Sequence, residues 1–342
     1  MSKQFRAAIS YAAIAVCSLL LAILLILLVG CDVGKAFYGF FNGILGSSYS
    51  VAEVFVKAAP LILAGLGVAV AFKSGFTNIG AEGQLYMGAV AFTATYVLCP
   101  GLPKAALLAL GILAGFLAGG VWALIPGALK ARFGISEVIN TIMLNYIALG
   151  IVGILLQTAL KDRAQYFPVS PTLDDGLGFS RLLKGTRLHS GILIALVCAV
   201  IVYFFIFKTS MGFRLRAVGM NPRACKCMGI SVSAGLIVSS LLSGGLAGIA
   251  GVGEIAGLHH RLIGGISPSY GYLAIIVALL GGNHPLGVVI AATGIAALQV
   301  GALAMQRAAN VPSAIASIIM GAVVLLILAR KTLFKRLLRE ED

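Results

Sequence analysis

The chain has 342 residues, of which 60% are hydrophobic and only 11% charged. No soluble domain could hide that much apolar side chain, so composition excludes a water-soluble globular protein and indicates a polytopic membrane protein. The 25 lysines and arginines outnumber the 11 acidic residues for a net charge of +14. In a membrane protein such an excess sets orientation against the cytoplasmic face rather than signalling a nucleic-acid partner.

Met1 to Ser10 carries Lys3 and Arg6 and leads into an apolar run from Ile9 to Gly30. The run resembles a signal peptide, and Leu28-Val29-Gly30-Cys31 matches a lipoprotein cleavage box. At about 20 residues it is long enough to cross a bilayer, so an uncleaved first span is predicted. Asp32 to Ser50 is Gly-broken and reads as an external interfacial segment. Span 2 covers Val51–Phe72, with Glu53 and Lys57 one helical turn apart in the favourable order. After a short turn at Lys73–Asn78, span 3 runs from Asn78 to Leu98. Span 4 covers Ala105–Ile125 and is predicted to end at Pro126-Gly127, leaving Lys130 and Arg132 in a loop. Span 5 covers Glu137–Leu160 and carries Asn140, Asn145 and Gln157.

Residues 161–189 form the longest polar insertion, of mixed charge, and suit an external loop and docking surface, as does 32–50. Span 6 covers Gly191–Phe207, and a basic island follows at 208–230. Inside the island Asn221 is a good N-cap, Pro222 suits the first helical position, and Gly229 can end the helix. About two turns fit between these signals, too few to be stable alone, so the helix needs a surface to dock on. Lys208, Arg214, Arg216, Arg223 and Lys226, with no acidic residue among them, mark a cytoplasmic position. Span 7 covers Ser231–Ile249, and a Gly-rich connection over 251–269 carries Glu254, His259, His260 and Arg261. Span 8 (Tyr270–Leu280) is short for a full crossing, spans 9 and 10 cover Leu286–Ala304 and Val311–Ala329, and a basic tail occupies 330–342. The expectation is a single all-α polytopic membrane domain over residues 1–342 with about ten transmembrane helices and both termini cytoplasmic. Five spans per half require any structural repeat, 5+5, to be inverted.

Three stretches carry a resemblance: Phe72 to Gln84, Gly219 to Ala224 with Gly229-Ile230, and Ala278 to Gly287. Together they resemble ABC-importer permeases of the branched-chain amino acid/ribose superfamily. The form Asn78-Ile79-Gly80-Ala81-Glu82-Gly83-Gln84 is similar to permeases of the general (purine) nucleoside importers. The resemblance implies a transport subunit with no catalytic site, coupled through Gly219, Met220, Asn221, Pro222, Arg223, Ala224, Lys226 and Gly229 to a separate ATPase. No Gly-x-x-x-x-Gly-Lys-Ser/Thr stretch occurs, so ATP and Mg are expected on that partner. A second, related permease subunit, an extracytoplasmic substrate-binding lipoprotein and a bacterial cytoplasmic (inner) membrane are implied in the same way. Enlarging Gly219 or Ala224 is then predicted to uncouple the machine with its spans intact.

For Asn78, Glu82 and Gln84 two readings stand: lining of the translocation path, or a structural cluster with Glu82 satisfying backbone N–H groups. Asn140 and Asn145 are offset by roughly 140° on a helix, so at most one lines the path. Phe76 and Tyr86 are the aromatics expected to offer a flat surface to a base. Ser239, Ser240 and Ser243 read as packing residues. The six cysteines show no disulfide framework, and spacing leaves a Cys31–Cys99 pair open. Two alternatives remain: a sugar or branched-chain amino acid as cargo, or an ion-coupled secondary transporter using Glu53, Lys57 and Glu82.

Overall fold

The computed structural model describes residues 3–174 and 176–337. The anchoring assigned to Lys3, Arg6 and the tail at 330–342 falls on side chains outside the described residues. Thirteen α-helices are present among them: α1 (Lys3–Leu28), α2 (Val33–Leu45), α3 (Ser48–Lys73), α4 (Ala81–Leu98), α5 (Lys104–Phe133), α6 (Glu137–Gln157), α7 (Gly191–Lys208), α8 (Ser210–Met220), α9 (Pro222–Cys227), α10 (Val232–Glu254), α11 (Tyr270–Leu280), α12 (Pro285–Ala309) and α13 (Ser313–Leu337). A π-helical turn, Ile255–His259, extends α10. Each of the ten predicted spans coincides with one helix, and six of these are long and apolar enough to cross a membrane among the described residues.

Two boundaries differ from expectation. α5 continues through Pro126 to Phe133, placing Lys130 and Arg132 in its last turn, where they complement the carbonyl end of the helix. It stops at Gly134 in the left-handed conformation, φ +67°. Proline is tolerated inside a membrane helix because neighbouring helices re-satisfy the freed backbone. The Gly-rich connection after span 7 is helical as far as His259, because its glycines answer a packing demand.

The chain divides into two compact units, Met1–Val54 with Gly294–Asp342, and Phe55–Thr293. In the first, α1 packs on α2 and α13 around Ile26, Ala36, Met305, Val311 and Ala316. Gly39 and Gly43 seat α2 directly on Ala308 and Ala304 of α12.

In the second unit α4, α5 and α10 pack against one another through glycine. A methyl on Gly248 would lie 2.2 Å from the Gly115 carbonyl oxygen, and one on Gly88 2.3 Å from that of Gly248. At Gly251 it would meet the Leu85 carbonyl oxygen at 1.9 Å. Small residues let membrane helices approach to backbone contact, where dispersion and weak polar contacts replace the hydrophobic effect. α4 opens with the polar residues Glu82 and Gln84, yet it is buried nearly continuously from Ala81 to Thr93. With α5, α6, α10 and α11 around it, it needs no lipid-compatible face. The outward side of α7 instead presents Leu193, Leu196, Val197, Val200, Ile201 and Phe204.

Residues 161–190 fold back on the end of α10. The π turn shifts the hydrogen-bond register so that the His260 amide donates to Ile255 O. That leaves the Ala256 carbonyl to accept from Phe179 N–H at 2.8 Å. Further along, Leu173 N–H donates to His260 O (2.7 Å), Ser170 N–H donates to Leu262 O (3.0 Å), and Leu262 N–H donates to Ser170 Oγ (2.8 Å). His189 fills the space left by Gly257, where a methyl would sit 2.4 Å from the imidazole, and stacks on Phe179 at 5.7 Å. Burial, with the neighbouring His260 adding to it, pushes the His189 imidazole down to about 4.

Gly248→Ala is expected to destabilise the protein by about 3 kcal/mol or more, because a backbone carbonyl and not a flexible side chain occupies the space. Gly150→Ala on α6, where a methyl meets nothing within 4 Å, is expected to leave stability unchanged; thermal unfolding in detergent compares the two. The 161–190 fold is expected to weaken on acidification. His189 stays neutral when folded and takes a proton below about 6.5 when released, so stability is flat above that pH and falls as pH drops towards 4. The loss at pH 5 amounts to about 2 kcal/mol. Hydrogen exchange of residues 161–190 at pH 7.5 and 5, corrected for intrinsic rate, measures it, and His189→Gln reduces the pH dependence to the share carried by His260, which burial also holds below its usual value.

Candidate functional site

The turn Ser74–Ile79 between α3 and α4 is where the sequence-selected residues converge. Ser74 Oγ donates to Ala71 O (2.8 Å) and shares a 2.7 Å hydrogen bond with Ser239 of α10. Asn78 is fully buried; its Nδ2 donates to Gln84 Oε1 and to Ser243 Oγ, both at 2.8 Å, and its Oδ1 accepts from Gly80 N–H at 2.8 Å and Gln84 Nε2 at 3.0 Å. Every hydrogen-bonding position of the Asn78 amide is thereby used. Gly80 fits because a methyl there would press on Gln84 at 2.9 Å and Thr141 at 3.1 Å.

Glu82 is buried and its Oε2 accepts from Gly271 N–H of α11 at 2.7 Å. Gly271 has no room for a side chain, since its Cβ would fall 2.1 Å from the Glu82 nitrogen. Asn145 on α6 joins the same network: its Oδ1 accepts from Gly83 N–H (2.8 Å), and its Nδ2 donates to Ile79 O (3.0 Å) and Tyr272 OH (3.2 Å). Phe76 and Tyr86 are buried as well, with Ser267 N–H donating to the Tyr86 hydroxyl at 3.4 Å. Asn78, Glu82, Gln84 and Asn145 thus hold α4, α6, α10 and α11 to one turn. Ser239 and Ser243, read as packing residues, are partners in that network.

Asn140 lies elsewhere. It is half-buried, and its Nδ2 has no partner among the described residues. The outward face of α6 beside it carries Ile139, Met143, Tyr146 and Gln157 with Gly150, where an added methyl would meet nothing. The offset between Asn140 and Asn145 is as the helical geometry requires: one faces α4 and the other does not.

The basic island contains two helices, not one. Thr209 caps α8, its Oγ1 accepting from Gly212 N–H at 3.1 Å, a signal that went unread because Thr209 follows directly on an apolar span. α8 packs on α7 where Gly212 meets the Phe205 and Ile206 carbonyls, and buries Leu215 and Val218. α9 begins as its sequence predicts: Asn221 Oδ1 accepts from Arg223 N–H and Ala224 N–H, both at 3.1 Å, with Pro222 in the first turn. Gly229, φ +72°, ends it. Of α9 only Cys225 is buried; Pro222, Arg223, Ala224, Lys226 and Cys227 are exposed, as are Met220 and Met228 beside it.

Gly219 belongs to a different contact from the rest of this group. A methyl there would lie 2.2 Å from the Lys73 carbonyl oxygen and 3.1 Å from Gly75 N. The end of α8 is therefore pressed backbone to backbone on the Ser74–Ile79 turn. Enlarging Gly219 disturbs that internal contact, whereas enlarging Ala224 alters only an exposed surface. The six cysteines are free thiols.

Asn145→Leu strips partners from Gly83, Ile79 and Tyr272 together and is expected to cost about 2–4 kcal/mol. Asn140→Leu is expected to cost nothing measurable; thermal melting of the two variants in the same detergent makes the comparison.

The model of the branched-chain amino acid transport system / permease component family matches residues 50–328. The guanosine ABC transporter permease protein NupP of Bacillus subtilis is 39% identical, over 89% of this chain and 88% of that protein. The glucose ABC transporter permease protein TsgB13 of Haloferax volcanii is 37% identical, over 85% of this chain and 79% of that one. The nucleoside ABC transporter permease protein NupB of Lactococcus lactis is 33% identical, over 84% and 81%. The match to the family covers the Ser74–Ile79 turn, α8, α9 and the helices around them, and the chain belongs to the branched-chain amino acid transport system / permease component family.

Proposed function

We propose that this chain is the permease subunit of an ATP-binding-cassette importer that moves nucleosides across a bacterial cytoplasmic membrane. The observation that carries the coupling half is α9: a helix too short to persist alone, capped at both ends and exposed on every residue but Cys225. Such an element, backed by α8, is a projecting knob suited to a cleft on a separate nucleotide-binding subunit that binds ATP and Mg. Met220, Arg223, Ala224, Lys226 and Met228 form the face offered to that partner.

In this reading the helices matching the ten predicted spans cross the membrane with both termini in the cytoplasm. α8 and α9 then lie inside, and residues 161–190 face outside towards a substrate-binding lipoprotein. A related second permease completes the path. The outward face of α6, with Tyr146 and Gln157, supplies the aromatic and polar contacts for a base and ribose, and Asn140 flanks it. Asn78, Glu82, Gln84, Phe76 and Tyr86 act behind that face, as its support. The nucleoside specificity of two of the relatives favours this cargo. The glucose permease among them gives the sugar alternative its support.

Labelled inosine uptake in cells with and without the gene separates the cargoes. Uptake that depends on the gene and is blocked by guanosine or uridine, but not by excess glucose, ribose or leucine, is the expected result. Competition by glucose alone moves the cargo to sugars. Ala224→Trp is expected to abolish uptake and ATPase association while the protein accumulates normally in the membrane. Unchanged uptake with Ala224→Trp would remove α9 from the interface.

A further inference from the structure

We propose that the Lys130–Glu137 pair is the latch through which displacement of α8 and α9 is passed to α6. This rests on the reading of α9 as the surface that the ATPase displaces. Lys130 is in the last turn of α5 and Glu137 is the first residue of α6, with Gly134 turning the chain between them. The Lys130 ammonium is bonded to Glu137 Oε1, and both side chains are largely buried.

Stability gives little reason for such a pair, because desolvation offsets most of what a buried ion pair gains. Its partners give a better one. Lys130 Nζ also donates to Gly75 O at 2.8 Å and lies 5.8 Å from the centre of the Phe76 ring. Glu137 Oε1 also accepts from Thr77 N–H at 3.0 Å. Two residues further along the turn, Ile79 N–H donates to Thr141 Oγ1 of α6 at 3.4 Å. The pair therefore grips the turn by its backbone on one side of Phe76 and on the other.

Gly219 at the end of α8 touches the same turn, through Lys73 and Gly75. The chain of contacts from α8 to α6 is thus Gly219, the Lys73–Thr77 backbone, and the Lys130–Glu137 pair. None of its links is a flexible surface side chain that could absorb movement. α6 then carries the movement to its outward face and, through Asn145, registers it against α4. Contiguity alone does not establish coupling, so the pair is tested by what moves.

The test uses the complete transporter in membranes, with its six native cysteines replaced by serine because Cys17 and Cys227 are exposed free thiols, and with a spin label at Arg214→Cys on α8 or at Ile139→Cys on α6, both exposed positions. In the otherwise unaltered protein both labels are expected to change line shape on addition of ATP and vanadate. With Lys130→Met, the α8 label should still respond, the α6 label should fall silent, and ATP hydrolysis should persist. Nucleoside moved per ATP should drop about tenfold, a typical coupling free energy. The double change Lys130→Glu with Glu137→Lys restores opposite charges but leaves no donor facing Gly75 O and no acceptor facing Thr77 N–H, so it should stay uncoupled.

An α6 label that still responds in Lys130→Met, or rescue by the charge exchange, overturns the proposal. So does silence of the α8 label, which would place the pair in ATPase docking. Should Lys130→Met fail to accumulate, the near-isosteric Glu137→Gln is read by the same criteria, and failure of both assigns the pair to folding and overturns the latch. A wrong cargo would show differently: normal label responses in the unaltered protein with no nucleoside uptake.

Discussion

The backbones of α4, α5 and α10 lie in direct contact, and the polar groups around that contact have to be satisfied within the protein because no water reaches them. Glycine makes the approach possible at Gly88, Gly119, Gly244 and Gly248, where carbonyl oxygens stand in the place of a methyl group. In lipid there is little hydrophobic gain from joining apolar helices, so close packing has to supply the adhesion. A surface of large side chains would hold these helices too far apart for the short polar side chains of the Ser74–Ile79 turn to reach their partners. Ser239 and Ser243 meet Ser74 and Asn78 at 2.7 and 2.8 Å because α10 is held at glycine distance. The glycine contact and the polar network are one arrangement.

That arrangement accounts for the composition of α4. A helix facing lipid must be apolar on its exposed face, and a helix enclosed by other helices need not be. α4 carries Glu82, Gln84 and Thr93, all buried, and each finds a partner on its own or a neighbouring segment. Buried polar residues of this kind are the mark of a central position.

Much of this was legible in the sequence, and the limits follow from what kind of signal each feature left. Spans announce themselves by apolar runs, so all ten predicted ones coincide with helices. The ends of α5 and α10 did not, because Pro126 and Gly251 carry opposite meanings in water and in a packed membrane helix. The caps of α9 were readable because Asn221, Pro222 and Gly229 act locally, through the backbone of their immediate neighbours. Asn78, Glu82 and Gln84 read as a group with two readings open, while Asn145 was set against Asn140 by helix geometry alone. Whether a buried amide faces a path or a carbonyl depends on residues more than sixty positions away, such as Asn145 against Ile79. Lys130 and Glu137 escaped attention for the same reason: seven residues apart across a predicted loop, they showed no spacing that links them to Gly75 or Thr77.

The division between exposed and buried members of the basic island is the one that the proposed coupling role requires. A six-residue helix has no stiffness of its own, so a push on it is useful only if something behind it resists. α8 provides that support: it is anchored on α7 through Gly212 and abuts the Ser74–Ile79 turn through Gly219. The exposed residues of α9 are free to match a partner, and Gly219 and Gly212 are held to glycine by the chain's own backbone. Within one short motif, therefore, Ala224 is open to solvent and Gly219 is held against Lys73. Sequence similarity records both as a single pattern, and only the packing separates the residue left free to meet a partner from the one fixed by the chain's own backbone.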